Sequence, residues 1–185
     1  MEILAISGSL RSESSNTALL RALQALAPQG HRITLYEGLA ELPPFDPGLE
    51  TEAAPAPVHA LRAQLSAADG IIICTPEYAH GMPGILKNAL EWTVASGEFV
   101  EKPVAALSTS PGATGGEKAL AWLIQTLTVM SARIVPEISQ PIPFGRSRVK
   151  PDGDIVDPAL AETLHKILDG LIHAVEARAQ TGSQP

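Results

Sequence analysis

The sequence contains little cysteine and few aromatic residues. Cys74 is the only cysteine, so no disulfide can form within the chain, and nothing in the sequence points to an oxidising compartment. Aromatic residues make up only 4% of the chain, so we expect a core built from alanine, leucine, isoleucine and valine. The overall content of 45% hydrophobic and 18% charged residues is typical of a globular protein.

Positive charge and long apolar runs are also scarce. Thirteen lysines and arginines stand against twenty acidic residues, which gives a net charge of −7. A nucleic acid or an anionic membrane needs a basic face to bind, so we expect neither as a partner. The longest apolar run, 119–130, is interrupted by polar residues and is too short to span a bilayer. No signal-peptide pattern opens the chain, so we expect a cytoplasmic protein.

Several motifs of common chemistry are missing. The sequence has neither the GxGxxG fingerprint of dinucleotide-binding folds nor the GxSxG elbow of hydrolases. Its five histidines lack metal-ligand spacing, so we expect no metal site. No acid–base dyad or nucleophile stands out, and the difficult chemical step would therefore belong to a cofactor. Tyr78 and His80 are weak catalytic candidates.

The apolar residues form short and long runs that alternate along the chain. The short runs predict strands at 3–6, 31–36, 71–74, 103–107 and 132–138. The longer, periodic runs predict helices at 14–26, 58–67, 83–96, 116–130 and 157–179. Residues 42–57 and 139–156 are predicted loops, the second with a turn at 151–153. Five strands alternating with five helices predict one α/β domain over residues 1–180, with a doubly wound parallel sheet and a frayed tail at 181–185.

Ligands of such sheets bind outside the carboxyl ends of the strands, so the loops after strands one, three and four are the expected site. The first loop, 7–17, contains serines, a threonine, an asparagine and Arg11. Hydroxyls, helix N-terminal amides and a guanidinium suit a phosphate dianion. The alternative is that Ser14, Ser15 and Asn16 only cap the following helix.

The other two loops suit a flat ligand. In 75–84, two prolines and two glycines give a rigid loop that a planar ring can approach closely. In 108–116, small residues leave space and place free amides at a helix N-terminus. The alternatives are that Glu77 is a local cap, that His80 is a surface residue, and that 108–116 is a flexible crossover. A basic cluster, Arg146, Arg148 and Lys150, could meet a 2′-phosphate or belong to a solvated loop.

Four segments in order resemble a known family. GSLRxxSxN at 8–16, TPEY at 75–78, PGxLKNALEW at 83–92 and SPGxxGG at 110–116 are similar to motifs of the NAD(P)H-dependent FMN reductases, which include quinone, azo-dye and chromate reductases. The resemblance covers about residues 2–138 and implies a flavodoxin-like fold with strand order 2-1-3-4-5 and helices on both faces. Where many members have asparagine after the tyrosine, this chain has Ala79.

The resemblance implies FMN as cofactor and NADPH or NADH as cosubstrate. The residues that it assigns to the FMN phosphate are Ser9, Arg11, Ser14, Asn16 and Thr17. Those that it assigns to the isoalloxazine ring are Pro76, Glu77 and Tyr78 on one side, with Ser110, Gly112 and Gly115 on the other.

The resemblance also implies a reaction and an assembly. Hydride would pass from NAD(P)H through flavin N5 to quinone, azo, flavin or metal-oxyanion acceptors, by a ping-pong scheme at one shared site. The protein would be a homodimer or homotetramer with its 83–96 region at the interface. The alternatives are a flavodoxin-type electron carrier and a non-catalytic protein that binds a flavin or another phosphate ligand.

Overall fold

The computed structural model describes residues 1–49 and 53–181, so the predicted tail beyond Thr181 lies outside the described residues. The strands are β1 (Glu2–Ser7), β2 (Arg32–Leu35), β3 (Gly70–Thr75), β4 (Pro103–Thr109), β5 (Arg133–Ile134) and β6 (Gln140–Ile142). The helices are α1 (Ser15–Ala25), α2 (Ala56–Ala67), α3 (Gly84–Glu91), α4 (Glu117–Val129), α5 (Gly145–Arg148) and α6 (Pro158–Thr181). Short 3₁₀ helices lie at Gly38–Glu41, Pro47–Leu49 and Pro136–Ile138.

The strands form one parallel sheet in the order β2-β1-β3-β4-β5, which confirms the predicted flavodoxin-like fold. The central strands β3 and β4 are buried along their whole length. This agrees with their unbroken apolar sequences, because strands covered on both faces need no polar side. All the strands run the same way, so the loops that follow β1, β3 and β4 meet at one edge of the sheet.

Helices cover both faces of the sheet and divide the core into two layers. On one face, Ile71 and Ile73 of β3 pack with the buried sides of α2, α3 and α4. On the other face, Ile72 and Cys74 pack with α1 and α6. The alternation of side chains along a strand sends neighbouring residues to opposite layers. The doubly wound arrangement therefore follows from apolar strands flanked by amphipathic helices.

The predicted fifth strand, 132–138, is wrong in its extent. β5 pairs with the start of β4, the 3₁₀ turn Pro136–Ile138 interrupts the strand, and β6 then pairs with the end of β4. Pro136 has no amide hydrogen to donate to a ladder, which favours the break. Opposite the break, the Ala106 amide donates to Ser139 Oγ at 3.0 Å. The predicted loop at 139–156 therefore contains both β6 and α5, although the turn at 151–153 is present.

The proline-rich segment after β2 is anchored by the motif on α3. Asn88 Nδ2 and Trp92 Nε1 both donate to the Pro43 carbonyl at 2.9 Å, and the Phe45 amide donates to Asn88 Oδ1. The Phe45 and Trp92 rings meet edge to face at 5.1 Å. Asn88 and Trp92, both in the motif at 83–92, thus hold this segment in place. No helix within residues 1–49 and 53–181 is long and apolar enough to cross a membrane.

Candidate functional site

The loops after β1, β3 and β4 enclose a cleft at the carboxyl edge of the sheet. Its volume is about 90 Å³, which is small against the roughly 300 Å³ or more of an enclosing ligand pocket. Its lining comprises Ser9, Arg11, Glu13, Ser14, Ser15, Asn16, Pro76, Glu77, Tyr78, Thr109, Ser110, Pro111 and Arg146. A ligand larger than a phosphate group would therefore extend from the cleft over the open edge of the sheet.

The first loop leads into the N-terminus of α1. Ser14 is the N-cap, and its Oγ accepts hydrogen bonds from the amides of Asn16 and Thr17. The Ser15 amide, in the same turn, has no acceptor among the described residues, and neither the Ser15 hydroxyl nor the Arg11 guanidinium has a partner there. The capping alternative thus holds for Ser14, while the neighbouring donors are left available for an anion.

Two polar residues of α1 are tied to the strands beneath it. Asn16 is buried, and its Oδ1 accepts a hydrogen bond from the Cys74 thiol at 3.2 Å. Burial raises the pKa of the Cys74 thiol far above its ordinary value, so the thiol keeps the proton that it donates. The Thr17 hydroxyl lies 2.8 Å from Ser7 Oγ. These bonds fix the start of α1 against β1 and β3.

The second loop makes a tight hairpin at its tip. Tyr78 and Gly81 exchange two backbone hydrogen bonds of 3.0 Å, and the two residues between them, Ala79 and His80, have φ angles of 50° and 62°. Positive φ at both central positions is the geometry of a type I′ turn, which favours asparagine and glycine. Tyr78 follows Pro76 and Glu77 into the cleft lining, with half of its surface exposed. His80 lies outside that lining.

Glu77 caps a helix that lies far from it in sequence. Its Oε2 accepts the amides of Lys118 and Ala119 at 3.0 and 3.1 Å, at the N-terminus of α4. Its Oε1 lies 3.2 Å from His80 Nδ1. Partial burial alone would raise the pKa of the Glu77 carboxyl, but the hydrogen bonds from Ala119, His80 and Lys118 outweigh it and lower that pKa. The predicted local cap is therefore wrong in its partner, because Glu77 caps the distant helix α4 and not the helix that follows its own loop.

Two of the three glycines in the third loop have different surroundings. Gly115 has φ of +62°, and a Cβ there would lie 2.9 Å from backbone atoms of Ile142 and Pro143. A Cβ on Gly112 would meet only Ser110 Oγ, at 3.8 Å. Gly115 is thus required by the packing of the loop against β6, whereas Gly112 stands in open space. Ser110 Oγ accepts the Gly112 amide at 3.3 Å and lines the cleft.

The structure brings most of the predicted cofactor-binding residues to one cleft. Those in its lining are Ser9, Arg11, Ser14, Asn16, Pro76, Glu77, Tyr78 and Ser110. Thr17, Gly112 and Gly115 lie beside the lining and hold its loops. The lining residues that the resemblance does not assign to the cofactor are Glu13, Ser15, Thr109, Pro111 and Arg146. Of these, Ser15 belongs to the serine-rich loop and Arg146 to the basic cluster, which were the available signals.

The donors of the cleft suit a phosphate group. A guanidinium, serine hydroxyls and an unpartnered helix N-terminal amide converge at the start of α1. The carboxylate of Glu13, which lies in the same lining, would repel a bound anion and weaken its binding. Among the described residues, no three histidine, cysteine, aspartate or glutamate side chains gather where they could hold a metal ion.

Comparison with known proteins gives concordant results. The family model described as NADPH-dependent FMN reductase matches residues 1–146. An NAD(P)H-dependent FMN reductase of Pseudomonas aeruginosa is 32% identical over 173 residues, which cover 92% of this chain and 93% of that protein. A quinone reductase of Escherichia coli is 31% identical over 170 residues, 89% of each chain.

A solved structure matches the fold over nearly the whole chain. It is a flavoenzyme NAD(P)H:(acceptor) oxidoreductase from Paracoccus denitrificans, with a TM-score of 0.86 and 28% sequence identity. The match covers 95% of this chain and 97% of that one. The structural match therefore extends beyond residue 146, where the match to the family model ends.

Proposed function

The chain belongs to the NADPH-dependent FMN reductase family, and on that premise we propose that it passes electrons from NAD(P)H through bound FMN to small-molecule acceptors. As a member it is an oxidoreductase with FMN as cofactor and NAD(P)H as electron donor. Membership of this family argues against the two alternative functions, a one-electron carrier and a non-catalytic binding protein. The observation that carries the assignment of the site is the set of unpartnered phosphate donors at the start of α1.

The first loop holds the flavin phosphate. Ser9, Arg11 and Ser14 supply a guanidinium and hydroxyls, and the α1 N-terminus adds its amides and dipole. Asn16 is held by Cys74, so it acts at the floor of the cleft. Thr17 supports the loop through its hydroxyl, which lies 2.8 Å from Ser7 Oγ, and it completes the proposed set of phosphate ligands. The donor set fits a phosphate monoester, and FMN carries one.

The second and third loops hold the ring at the open edge. Bound FMN supplies the redox chemistry, because its N5 can take up a hydride from a nicotinamide and release it to an acceptor. Pro76, Glu77 and Tyr78 line one side, with Ser110 opposite. Gly112 and Gly115 shape the loop without lining the cleft. The chain contributes position and a fixed dipole environment, with no acid–base dyad required.

One open face serves both substrates in turn. Because the cleft encloses little more than a phosphate, the ring would lie exposed, and nicotinamide and acceptor would stack at the same place. This supports quinone, azo, flavin or metal-oxyanion acceptors and a ping-pong scheme. Initial rates measured with NADPH and benzoquinone both varied should give parallel double-reciprocal lines. Intersecting lines would contradict the shared site.

The protein forms a homo-oligomer through an apolar face between α3 and α4. This face consists of Val94, Trp122 and Val129, which are 53%, 58% and 78% exposed. A groove of about 460 Å³ runs along it, with Lys87 and Met130 also in its lining. Trp122 reaches the second loop, since a Cβ on Gly81 would lie 3.5 Å from its ring. Large exposed apolar side chains that cluster in this way indicate a protein interface.

A further inference from the structure

We propose that Arg146 is a phosphate-binding residue, which supplies a second guanidinium, after Arg11, to a phosphate monoester at the N-terminus of α1. Arg146 lies on α5, in the segment that the sequence patterns predict as a loop, and it lines the same cleft as Ser9, Ser14 and Ser15. The identification of the ligand rests on the proposed function. The placement of Arg146 rests on the packing of α5.

The residues just before Arg146 are fixed against the end of β4. The Gly145 amide donates to the Ser110 carbonyl at 3.2 Å, and the Phe144 amide donates to the Gly112 carbonyl at 3.3 Å. A Cβ on Gly145 would collide with Thr109 Oγ1, which itself donates to the Ile142 carbonyl at 2.7 Å. The start of α5 is thus attached to the third loop, and Arg146 follows directly.

The residues just after Arg146 are fixed as well. Arg148 pairs with Asp157 at 2.6 Å, and Val149 is buried and forms an antiparallel bridge with Ile155. Lys150 pairs with Asp154 at 3.1 Å. In contrast, Arg146 is exposed and has no ion pair or hydrogen-bond partner among the described residues for its side chain. Of the three members of the basic cluster, Arg146 is the one whose charge is unused.

The charges around the cleft favour a second guanidinium beside a bound anion. Its lining contains two carboxylates, Glu13 and Glu77, and two guanidiniums, Arg11 and Arg146. Without Arg146, one cation would face two carboxylates, and a phosphate dianion would meet a lining with net negative charge. With it, the charged groups balance, and the hydroxyls and α1 dipole then favour the anion.

A second cavity continues from the cleft toward α5. It measures about 190 Å³ and shares Glu13, Ser14, Ser15 and Arg146 with the cleft, and Lys150 also lines it. Arg146 therefore stands between the two spaces. The phosphate that it binds is either that of FMN or the 2′-phosphate of NADPH, and two arms of one experiment distinguish these sources.

The test compares Arg146→Gln with Arg133→Gln, which removes an equal charge from an exposed residue of β5 at the opposite edge of the sheet. Dissociation constants for FMN and riboflavin are measured by fluorescence quenching. A charge-assisted bond to the FMN phosphate predicts roughly 10- to 100-fold weaker FMN binding in Arg146→Gln, with riboflavin unchanged. Glu13→Gln should shift FMN binding the opposite way, because it removes a carboxylate from the same lining.

The second arm measures kcat/KM for NADPH and for NADH at saturating FMN. A selective loss with NADPH in Arg146→Gln would assign the residue to the 2′-phosphate. If FMN, riboflavin, NADPH and NADH all respond like the Arg133→Gln control, or all change together, the proposal is overturned. Failure of the wild-type protein to bind FMN would instead refute the proposed function, so the two failures are distinguishable. Unchanged unfolding temperatures verify that the variants are folded.

Discussion

At the scale of single residues, the resemblance and the structure give different reasons for the same glycines. The motif at 110–116 assigns both Gly112 and Gly115 to the flavin ring. The structure places Gly115 at positive φ, where a Cβ would lie 2.9 Å from backbone atoms of Ile142 and Pro143. At Gly112 it leaves room for a Cβ, which would meet only Ser110 Oγ at 3.8 Å. A sequence motif can indicate that a glycine is required at a position. It does not indicate whether the requirement comes from ligand binding or from the packing of the fold.

The two glycines should therefore respond differently to a methyl group. We expect Gly115→Ala to lower the free energy of unfolding by about 2 kcal/mol or more, because it combines a left-handed backbone with overpacking. Gly112→Ala, its matched control, should change stability by less than about 0.5 kcal/mol. Urea unfolding of both variants gives the comparison. Equal free energies of unfolding for the two variants would show that the close packing around Gly115 does not exclude a Cβ.

The turn at Ala79 and His80 carries backbone strain. Alanine at φ of 50° is unfavourable, and glycine would relieve it. We expect Ala79→Gly to stabilise the protein by about 0.5–1 kcal/mol, after allowing for the greater freedom of glycine in the unfolded chain. Ala113→Gly, at a residue whose own φ is not positive, should instead destabilise it. Destabilisation of a similar size by both substitutions in urea unfolding would argue against strain in the turn.

At the scale of elements, Glu77 links the second loop to α4. The N-cap position of that helix is Gly116, which has no side chain, so the cap comes from a different loop. A carboxylate at this position also compensates the helix dipole. The orientation of α4 and the shape of the second loop are therefore coupled, and both border the cleft.

Replacement of Glu77 should weaken this coupling in a pH-dependent way. We expect Glu77→Gln to cost about 1 kcal/mol of stability at neutral pH. Because the folded-state pKa of Glu77 is lowered, its stabilisation is complete above the ordinary value of 4.5 and is lost as the pH falls through the folded-state pKa. The difference between wild type and Glu77→Gln should thus shrink in acid.

The control for this prediction is Glu91→Gln. Glu91 makes an exposed pair with Lys87 at 2.7 Å and should contribute less than about 0.5 kcal/mol. Urea unfolding between neutral pH and pH values below 4.5 provides the measurement. A difference for Glu77→Gln that stays constant or grows in acid would contradict the capping role.

The local pattern of apolar and polar residues was sufficient to predict most helices and strands. It was insufficient for the elements whose position depends on contacts between residues far apart in the sequence. The apolar run of β3 and the serine-rich loop before α1 carry their own signals, and both are where the sequence predicts them. The break between β5 and β6 depends on Ser139 meeting the Ala106 amide. The position of Arg146 depends on Gly145 meeting Thr109. Such contacts between remote residues leave no periodicity in the sequence.

At the scale of the whole molecule, the carboxyl edge of the sheet and the apolar α3–α4 face are neighbours. Trp122 belongs to the apolar face and also packs beside Gly81 of the second loop. Association through Val94, Trp122 and Val129 would bury this apolar surface and support the loop that lines the cleft. A homo-oligomer is therefore expected to protect the site as well as the surface.

A charge placed on the α3–α4 face should dissociate the oligomer. We expect Val129→Asp to shift the protein to the monomer, because a buried unpaired carboxylate at an interface is costly. Val156→Asp, at another exposed valine (57%) away from this face, is the control. Sedimentation velocity reads out the mass of each species. A wild-type monomer, or an unchanged Val129→Asp oligomer, would refute the interface.

The most direct test of the whole account is anaerobic addition of NADPH to the FMN-loaded protein, followed by its absorption spectrum. The account predicts that the flavin band appears on loading, bleaches completely with NADPH and returns when a quinone is added. A protein that takes up no FMN, or whose flavin band is unaffected by both NADPH and NADH, would contradict the assignment of a reductase site to the carboxyl edge of this sheet.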